Sequence, residues 1–175
     1  MNVKRKLLVV GALPIVLCLV VLISGLTGIR LNIASNSLPP GLYRIVQAGQ
    51  GNDVLFCPTG MVEKITIERE FRTHSYGCGD GYAPMLKPIV ARAGDIVSIG
   101  DAGVSVNGRL LPNSKQVSKD GRGRLLPLVP HGLYTVEPGT AWVVSSYNRY
   151  SFDSRYFGAI RLEGKVRYAK PFILF

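Results

Sequence analysis

The stretch Tyr150-Ser151-Phe152-Asp153-Ser154-Arg155-Tyr156-Phe157-Gly158 packs hydroxyls, a carboxylate, a guanidinium and several aromatic rings into one short segment. It is too polar for a core strand and too aromatic for a plain surface loop. Its polar groups can cross-link one another while the rings exclude water. That suits a rigid support around a reacting centre, and an ordered turn held by an Asp153–Arg155 pair fits the same residues. Far upstream, Ser37 opens the run Ser37-Leu38-Pro39-Pro40-Gly41. A serine hydroxyl is a weak nucleophile at neutral pH and needs a base. The two histidines read as loop residues rather than members of a triad, since His74 lies between Thr73 and Ser75 and His131 follows Pro130. A lysine can act as the base when burial disfavours its ammonium form. Lys87 lies between Pro84-Met85-Leu86 and Pro88-Ile89-Val90, an apolar setting for a charged side chain. A strand-edge lysine with its head in water would have the same neighbours. Ser37 likewise reads as a nucleophile or as part of a serine–proline linker. Pro39 and Pro40 stiffen its turn, and Gly41 leaves room for a substrate backbone to approach.

These residues must be positioned by a small set of elements. Residues 1–6 form a basic tip containing Lys4, Arg5 and Lys6, and residues 7–29 carry no charge. At about 1.5 Å per residue, a helix of that length crosses a bilayer core of roughly 30 Å. The basic tip predicts a cytoplasmic N-terminus, with residues 30–175 outside the membrane as one extracytoplasmic, periplasmic domain. A cleavable signal peptide is the competing reading, with Asn32-Ile33-Ala34 as a weak cleavage site. Cleavage there would leave Ser37 close to a free end, so an uncleaved anchor is expected.

Beyond residue 30 helical periodicity is nearly absent, and glycine and proline punctuate short apolar runs. Strands are expected at 41–46, 53–56, 89–91, 96–99, 104–106, 134–136, 141–144 and 165–168. Asn107-Gly108 predicts a tight hairpin within 104–111. A helix over 62–71 is the one candidate outside the apolar run, and a strand fits there too. Residues 112–130 read as a long exposed loop, with 119–124 mobile. The domain is therefore expected to be mainly β.

The net charge is +10, but the basic residues are scattered. Adhesion to anionic lipid explains that better than a nucleic-acid site, and no specific nucleic acid is expected as a partner. The histidines and cysteines have no metal-ligand spacing, so neither a metal nor a cofactor is expected.

The segment ending in Gly158 resembles the C-terminal signature of the type I signal peptidases. Two further boxes fall in that family's order: Ser37-Leu38-Pro39-Pro40-Gly41 soon after the apolar run, and Lys87 followed by Gly94-Asp95. Extended to Leu42-Tyr43, the serine box is similar to that of the conjugation-associated, TraF-type branch. The resemblance implies a catalytic domain of coiled antiparallel sheets behind one transmembrane helix, in the inner membrane with its catalytic part in the periplasm. It implies a serine endopeptidase in which Ser37 attacks, Lys87 is the base and Asp153 is required. Ser35 would help form the oxyanion hole, Ser151 would orient the amine, and Arg155 would pair with Asp153. Asp95 is expected to be structural. The branch also carries a Cys-Pro pair and a later Cys-Gly pair. Cys57 and Cys78, facing an oxidising space under this topology, are therefore expected to form a disulfide. The implied substrate is a membrane-inserted precursor at the bilayer surface, a conjugative pilin precursor, which some members join into a ring. A housekeeping signal peptidase of broad specificity is one alternative. A non-catalytic component of a mating channel is another.

Departures from the pattern fall at Pro88, where arginine usually follows the lysine, at Leu38 in place of methionine, and at Ser145-Ser146-Tyr147 in place of Gly-Asp-Asn.

Overall fold

The computed structural model describes residue 25, residues 28–33 and residues 35–175. The expected basic tip, nearly all of the expected anchor, and Ala34 lie outside these residues. Among the described residues, no helix is long and apolar enough to cross a membrane.

The chain runs β1 (Ile29–Asn32), β2 (Gly41–Val46), β3 (Asp53–Phe56), α1 (Gly60–Glu68), β4 (Met85–Arg92), β5 (Ile96–Gly100), β6 (Gly103–Val106), β7 (Arg109–Leu110), β8 (Gly132–Thr135), β9 (Thr140–Val143), α2 (Ser154–Phe157), β10 (Ile160–Arg161) and β11 (Arg167–Leu174). The mainly β expectation holds. A seven-stranded sheet has the order β1-β2-β11-β3-β4-β9-β10, and a four-stranded sheet the order β7-β6-β5-β8. Neighbouring strands are antiparallel throughout. The C-terminal strand β11 lies between β2 and β3, so it joins the β1–β2 hairpin to the β3–β4 hairpin.

Three apolar clusters hold this frame. Val54, Phe56, Met85, Val143, Phe152 and Tyr156 form one. Val97, Ile99, Val104, Val136, Trp142 and Val144 join the small sheet to β9. Leu38, Tyr43, Leu86 and Ala169 form the third, beside the Ser37 turn. Full burial of each large apolar side chain contributes about 1.5–3 kcal/mol.

Several boundaries depart from the sequence expectations for identifiable reasons. The 104–111 hairpin forms as β6–β7, with Asn107 and Gly108 at φ of 49° and 81°. The 62–71 segment is helical, but α1 begins earlier and ends at a left-handed Glu70, φ 58°. There Phe71 N–H donates to Thr66 O at 2.9 Å and Glu70 N–H to Ile67 O at 3.0 Å, the paired bonds of a Schellman turn. The last strand continues well past 168, because Pro171 lies beyond the part of β11 that pairs with β3 and shares a bulge with Ile173. A missing N–H is tolerated at such a place.

The 112–130 segment contains no strand or helix, yet it is not a plain exposed loop. Ser114 is buried, and its hydroxyl donates to Leu111 O at 2.6 Å. The 119–124 run is a tight turn rather than a loose one. Asp120 accepts from Arg122 N at 2.9 Å, Arg124 N at 3.0 Å and Arg124 Nε at 2.7 Å.

Cys57 and Cys78 form the expected disulfide, with Cα atoms 5.7 Å apart, and it encloses α1. A buried Arg72–Asp80 ion pair at 2.6 Å braces the same segment.

Candidate active site

Lys87 is carried by β4 opposite Val54 of β3, so the two side chains leave the sheet on one face. Ser37 comes from the turn between β1 and β2. Ser151 comes from the loop that leads into α2. These three residues, distant in sequence, meet at hydrogen-bond distance. Lys87 Nζ donates to Ser37 Oγ at 2.6 Å and to Ser151 Oγ at 2.8 Å, and the two hydroxyls lie 3.1 Å apart. Lys87 is 5 % exposed, and no carboxylate among the described residues hydrogen-bonds to its amine. Burial pulls its pKa down to about 8, with the Asp153 charge opposing the fall and the Arg155 charge adding to it. An amine that is readily neutral at this distance can take the proton from Ser37 Oγ. Ser151 keeps it aimed.

Ser35 Oγ accepts from Ser37 N–H at 3.3 Å, so the two groups expected to meet a developing oxyanion are neighbours. Asp153 makes no hydrogen bond to Ser37 or Lys87. It caps α2, accepting from Arg155 N at 3.3 Å, and also pairs with the Arg155 guanidinium at 2.8 and 2.9 Å. Gly158, at φ 76°, ends this single helical turn. Arg155 is fully buried. Its remaining N–H groups donate to the carbonyls of Asn113, Lys115, Arg149 and Ser151 at 3.0–3.2 Å. The 112–130 segment is thus strapped under the site, which its loop-like composition does not reveal.

Ser145 is a residue that sequence reasoning noted only as a departure. Its N–H donates to Asp153 Oδ2 at 3.0 Å, and its hydroxyl to Ser37 O at 2.6 Å. It links the Asp153–Arg155 pair to the backbone of Ser37. Asp95 sits in a turn after Gly94, accepting from Arg92 N at 2.7 Å and Asn107 Nδ2 at 2.8 Å, a structural position. His74 stacks near Tyr82 and His131 is half-exposed near Asp101; neither approaches Ser37.

A cleft of about 410 Å³ opens onto Ser37, Lys87 and Ser151, with Phe71, Met85 and Phe152 among its walls. A cavity of about 520 Å³ between α1 and the β10–β11 connection contains none of these polar residues. One expectation is corrected. Gly41 does not leave room for a substrate: a Cβ there would collide with the Ile173 carbonyl of β11. The chain's own last strand needs that space.

The model of the signal peptidase family, peptidase S26, matches residues 3–170. A plasmid transfer protein TraF of Escherichia coli is 36% identical over 149 residues, covering 83% of each chain. A second, from the same organism, is 38% identical over 136 residues, covering 76% of this chain and 75% of its own. The conjugal transfer protein TraF of Agrobacterium tumefaciens (strain 15955) is 33% identical over 156 residues, covering 85% of this chain and 84% of its own. A solved signal peptidase I from Enterococcus faecalis V583 covers 67% of this chain and 92% of its own, at 16% identity and a TM-score of 0.34, a likeness too remote to add detail. With serine and lysine meeting in one cleft above the buried Asp153–Arg155 pair, and these matches spanning most of the sequence, the chain belongs to the signal peptidase family S26 and, within it, to the TraF conjugal and plasmid transfer proteins.

Proposed function

We propose that the protein is a membrane-anchored serine endopeptidase that cleaves an exported precursor, a conjugative pilin precursor, through a Ser37–Lys87 dyad. The observation that carries this reading is the buried, carboxylate-free amine of Lys87 at 2.6 Å from Ser37 Oγ. Lys87 removes the hydroxyl proton as Ser37 Oγ bonds to the scissile carbonyl carbon. The ammonium then protonates the leaving amine. Ser37 N–H and Ser35 Oγ turn from one another to the oxyanion, a contribution of about 3 kcal/mol per donor. Water or an amine finally displaces the acyl group from Ser37.

The cleft supports an extended peptide as substrate. β4 pairs with β9 only from Ile89 onward, so the Met85–Pro88 stretch has no strand neighbour on that side among the described residues. A peptide strand added there would run past Ser37.

A periplasmic domain held at the membrane surface is supported by the outer face of β1, β2 and β11. Leu31 and Ile173 both lie opposite Leu42, which places the three on one face. Leu31, Phe172 and Ile173 are exposed, and Arg44 lies 4.6 Å over the Phe172 ring. Apolar groups mixed with cations suit an anionic lipid surface.

Mass spectrometry of a pilin precursor incubated with the purified enzyme tests the reading. A defined cleavage with wild type and none with Ser37→Ala supports it. A product lighter by one water than the linear fragment reports ring closure by an amine. Equal cleavage by Ser37→Ala overturns the mechanism.

A further inference from the structure

The turn that carries Ser37 exposes three successive backbone carbonyls to the protein interior, and side chains from outside the turn hold all three. Ser37 O accepts from Ser145 Oγ at 2.6 Å. Leu38 O accepts from Asn32 Nδ2 at 3.4 Å, and Pro39 O from the same nitrogen at 3.1 Å. Pro39 O also accepts from the Tyr43 hydroxyl at 2.9 Å. Asn32 does more than close this row, since its Oδ1 accepts from Ser35 N–H at 3.3 Å on the other side of the nucleophile. One side chain therefore grips the chain before Ser37 and after it.

We propose that Asn32 is a positioning residue for the peptidase reaction, a clamp that fixes where Ser37 Oγ, Ser37 N–H and Ser35 Oγ point. The inference rests on the Ser37–Lys87 reading and deepens it.

The chemistry requires an amide at this position. Two acceptors and one donor converge on Asn32, and a primary carboxamide offers two donors and an acceptor on one planar head. Aspartate keeps the acceptor for Ser35 but turns an anionic oxygen towards the carbonyls of Leu38 and Pro39. Alanine keeps nothing. Asn32 is 6 % exposed and sits at the end of β1, where pairing with Gly41 of β2 holds its backbone. Tyr43, 1 % exposed on β2, supplies the remaining donor from the opposite side of the turn. Beyond these bonds the turn is held by Phe175 N–H, which donates to Pro40 O at 3.2 Å. Pro39 and Pro40 lack N–H groups, and Leu38 is its one apolar anchor in the adjacent cluster.

The clamp acts on geometry alone. Asn32 is not among the groups that shift the Lys87 titration, so it should govern how fast the bound peptide reacts without changing the proton affinity of the base. A misplacement of about 1 Å in a reacting group costs roughly 100-fold in rate.

The test uses the full chain in lipid vesicles, an internally quenched peptide spanning the cleavage site of the pilin precursor found by mass spectrometry, and hydrogen exchange at the Ser35 and Ser37 amides. For Asn32→Ala and Asn32→Asp the expected result is a kcat lower by about 100-fold. In Asn32→Ala, KM and the pH of the rising limb should stay as in wild type and the Ser35 amide should exchange faster, whereas Asn32→Asp, which keeps the acceptor for Ser35, should lose kcat with that amide still protected. Tyr43→Phe removes one hydroxyl and leaves the turn otherwise intact, so a loss of about fivefold in kcat is expected. Melting temperatures are read alongside. Wild-type kcat and unchanged exchange in Asn32→Ala overturn the clamp. So does a loss in which kcat, KM and the pH limb all move together, the mark of a generally loosened fold. If wild type cleaves no peptide, the peptidase reading has failed. Hydrogen exchange then still decides whether Asn32 holds the turn.

Discussion

Two cations lie buried within a few residues of one another in space, and they are treated in opposite ways. Arg155 is met by a bidentate carboxylate and four carbonyls; burial works to lower its pKa, and Asp153 outweighs that and holds it raised. Lys87 is met by two hydroxyls, and burial lowers its pKa to about 8. A guanidinium with every N–H satisfied is a fixed strut, because neither its charge nor its geometry can change cheaply. An ammonium denied a counter-ion keeps its proton weakly, and a weakly held proton is what an acid–base catalyst needs. The difference shows that burial does not itself make a reactive group: what accompanies the charge decides.

The comparison breaks if the two sites respond alike to mutation. The largest effect is expected on the reactive side. Ser37→Ala, Lys87→Ala or Lys87→Arg should each cut the cleavage rate by a factor on the order of 10⁴ or more, and the double alanine variant should be no worse than either single one. Single-turnover assays of each purified variant, with equal folding checked by circular dichroism, measure this. Near-normal turnover by Lys87→Ala removes the lysine from the mechanism.

On the support side, Asp153→Ala leaves a buried guanidinium unpaired and should lower stability by about 3–5 kcal/mol in urea unfolding. The milder Asp153→Asn tests the link between the two cations. The Asp153 charge favours protonated Lys87, so removing it should move the rising limb of the rate profile to lower pH. A limb that stays put in a folded, active Asp153→Asn enzyme would show the two sites to be electrically independent.

Titration of the native enzyme sharpens the contrast. Activity should rise with pH through about 8, where Lys87 loses its proton. The folded pKa lies below the unfolded value, so the unfolded chain binds the proton more tightly. Stability from this group should therefore fall as pH drops from about 10.5 to about 8 and level off below that, a loss of about 3 kcal/mol. Unfolding curves of wild type against Lys87→Met across that range isolate the contribution. Rates that stay flat down to about pH 5 would mean that Lys87 is not the base.

The disulfide extends the rigid side of the comparison to one wall of the cleft. Reduction of Cys57–Cys78, which spans 21 positions, should cost about 3 kcal/mol by chain entropy. It should weaken substrate binding more than turnover, because Phe71 lies within the enclosed segment and Ser37 does not. A changed kcat at constant KM on reduction contradicts that assignment.

Much of this arrangement was legible in the sequence because it depends on residue type at fixed spacing. Ser37, Lys87, Ser151 and the Asp153–Arg155 pair each belong to a short run whose pattern is itself informative. Residues that act on distant backbone carbonyls leave no such trace. Asn32 and Ser145 look like ordinary polar residues at strand ends, and their meaning appears only when the Ser37 turn is set between them. The same holds for the 112–130 segment. Its glycines, prolines and lysines correctly report the lack of regular structure. They cannot report that Asn113 and Lys115 supply acceptors to Arg155. The Gly41 reading went astray for a related reason. Close approach by a backbone was the right inference, but the approaching backbone comes from the far end of the chain.

That far end also governs when the protein can work. Ser37 belongs to one hairpin and Lys87 to another, and the strand that joins them is β11, the last eight residues of regular structure in the chain. A chain emerging N-terminus first has both halves of the dyad in hand long before it has the strand between them. Until Arg167–Leu174 slots in, the two hairpins share no strand edge. The Ser37–Lys87 pair is therefore expected to stay unassembled until β11 is in place. Truncation before Arg167 should accordingly separate the two residues and abolish cleavage in a peptide assay.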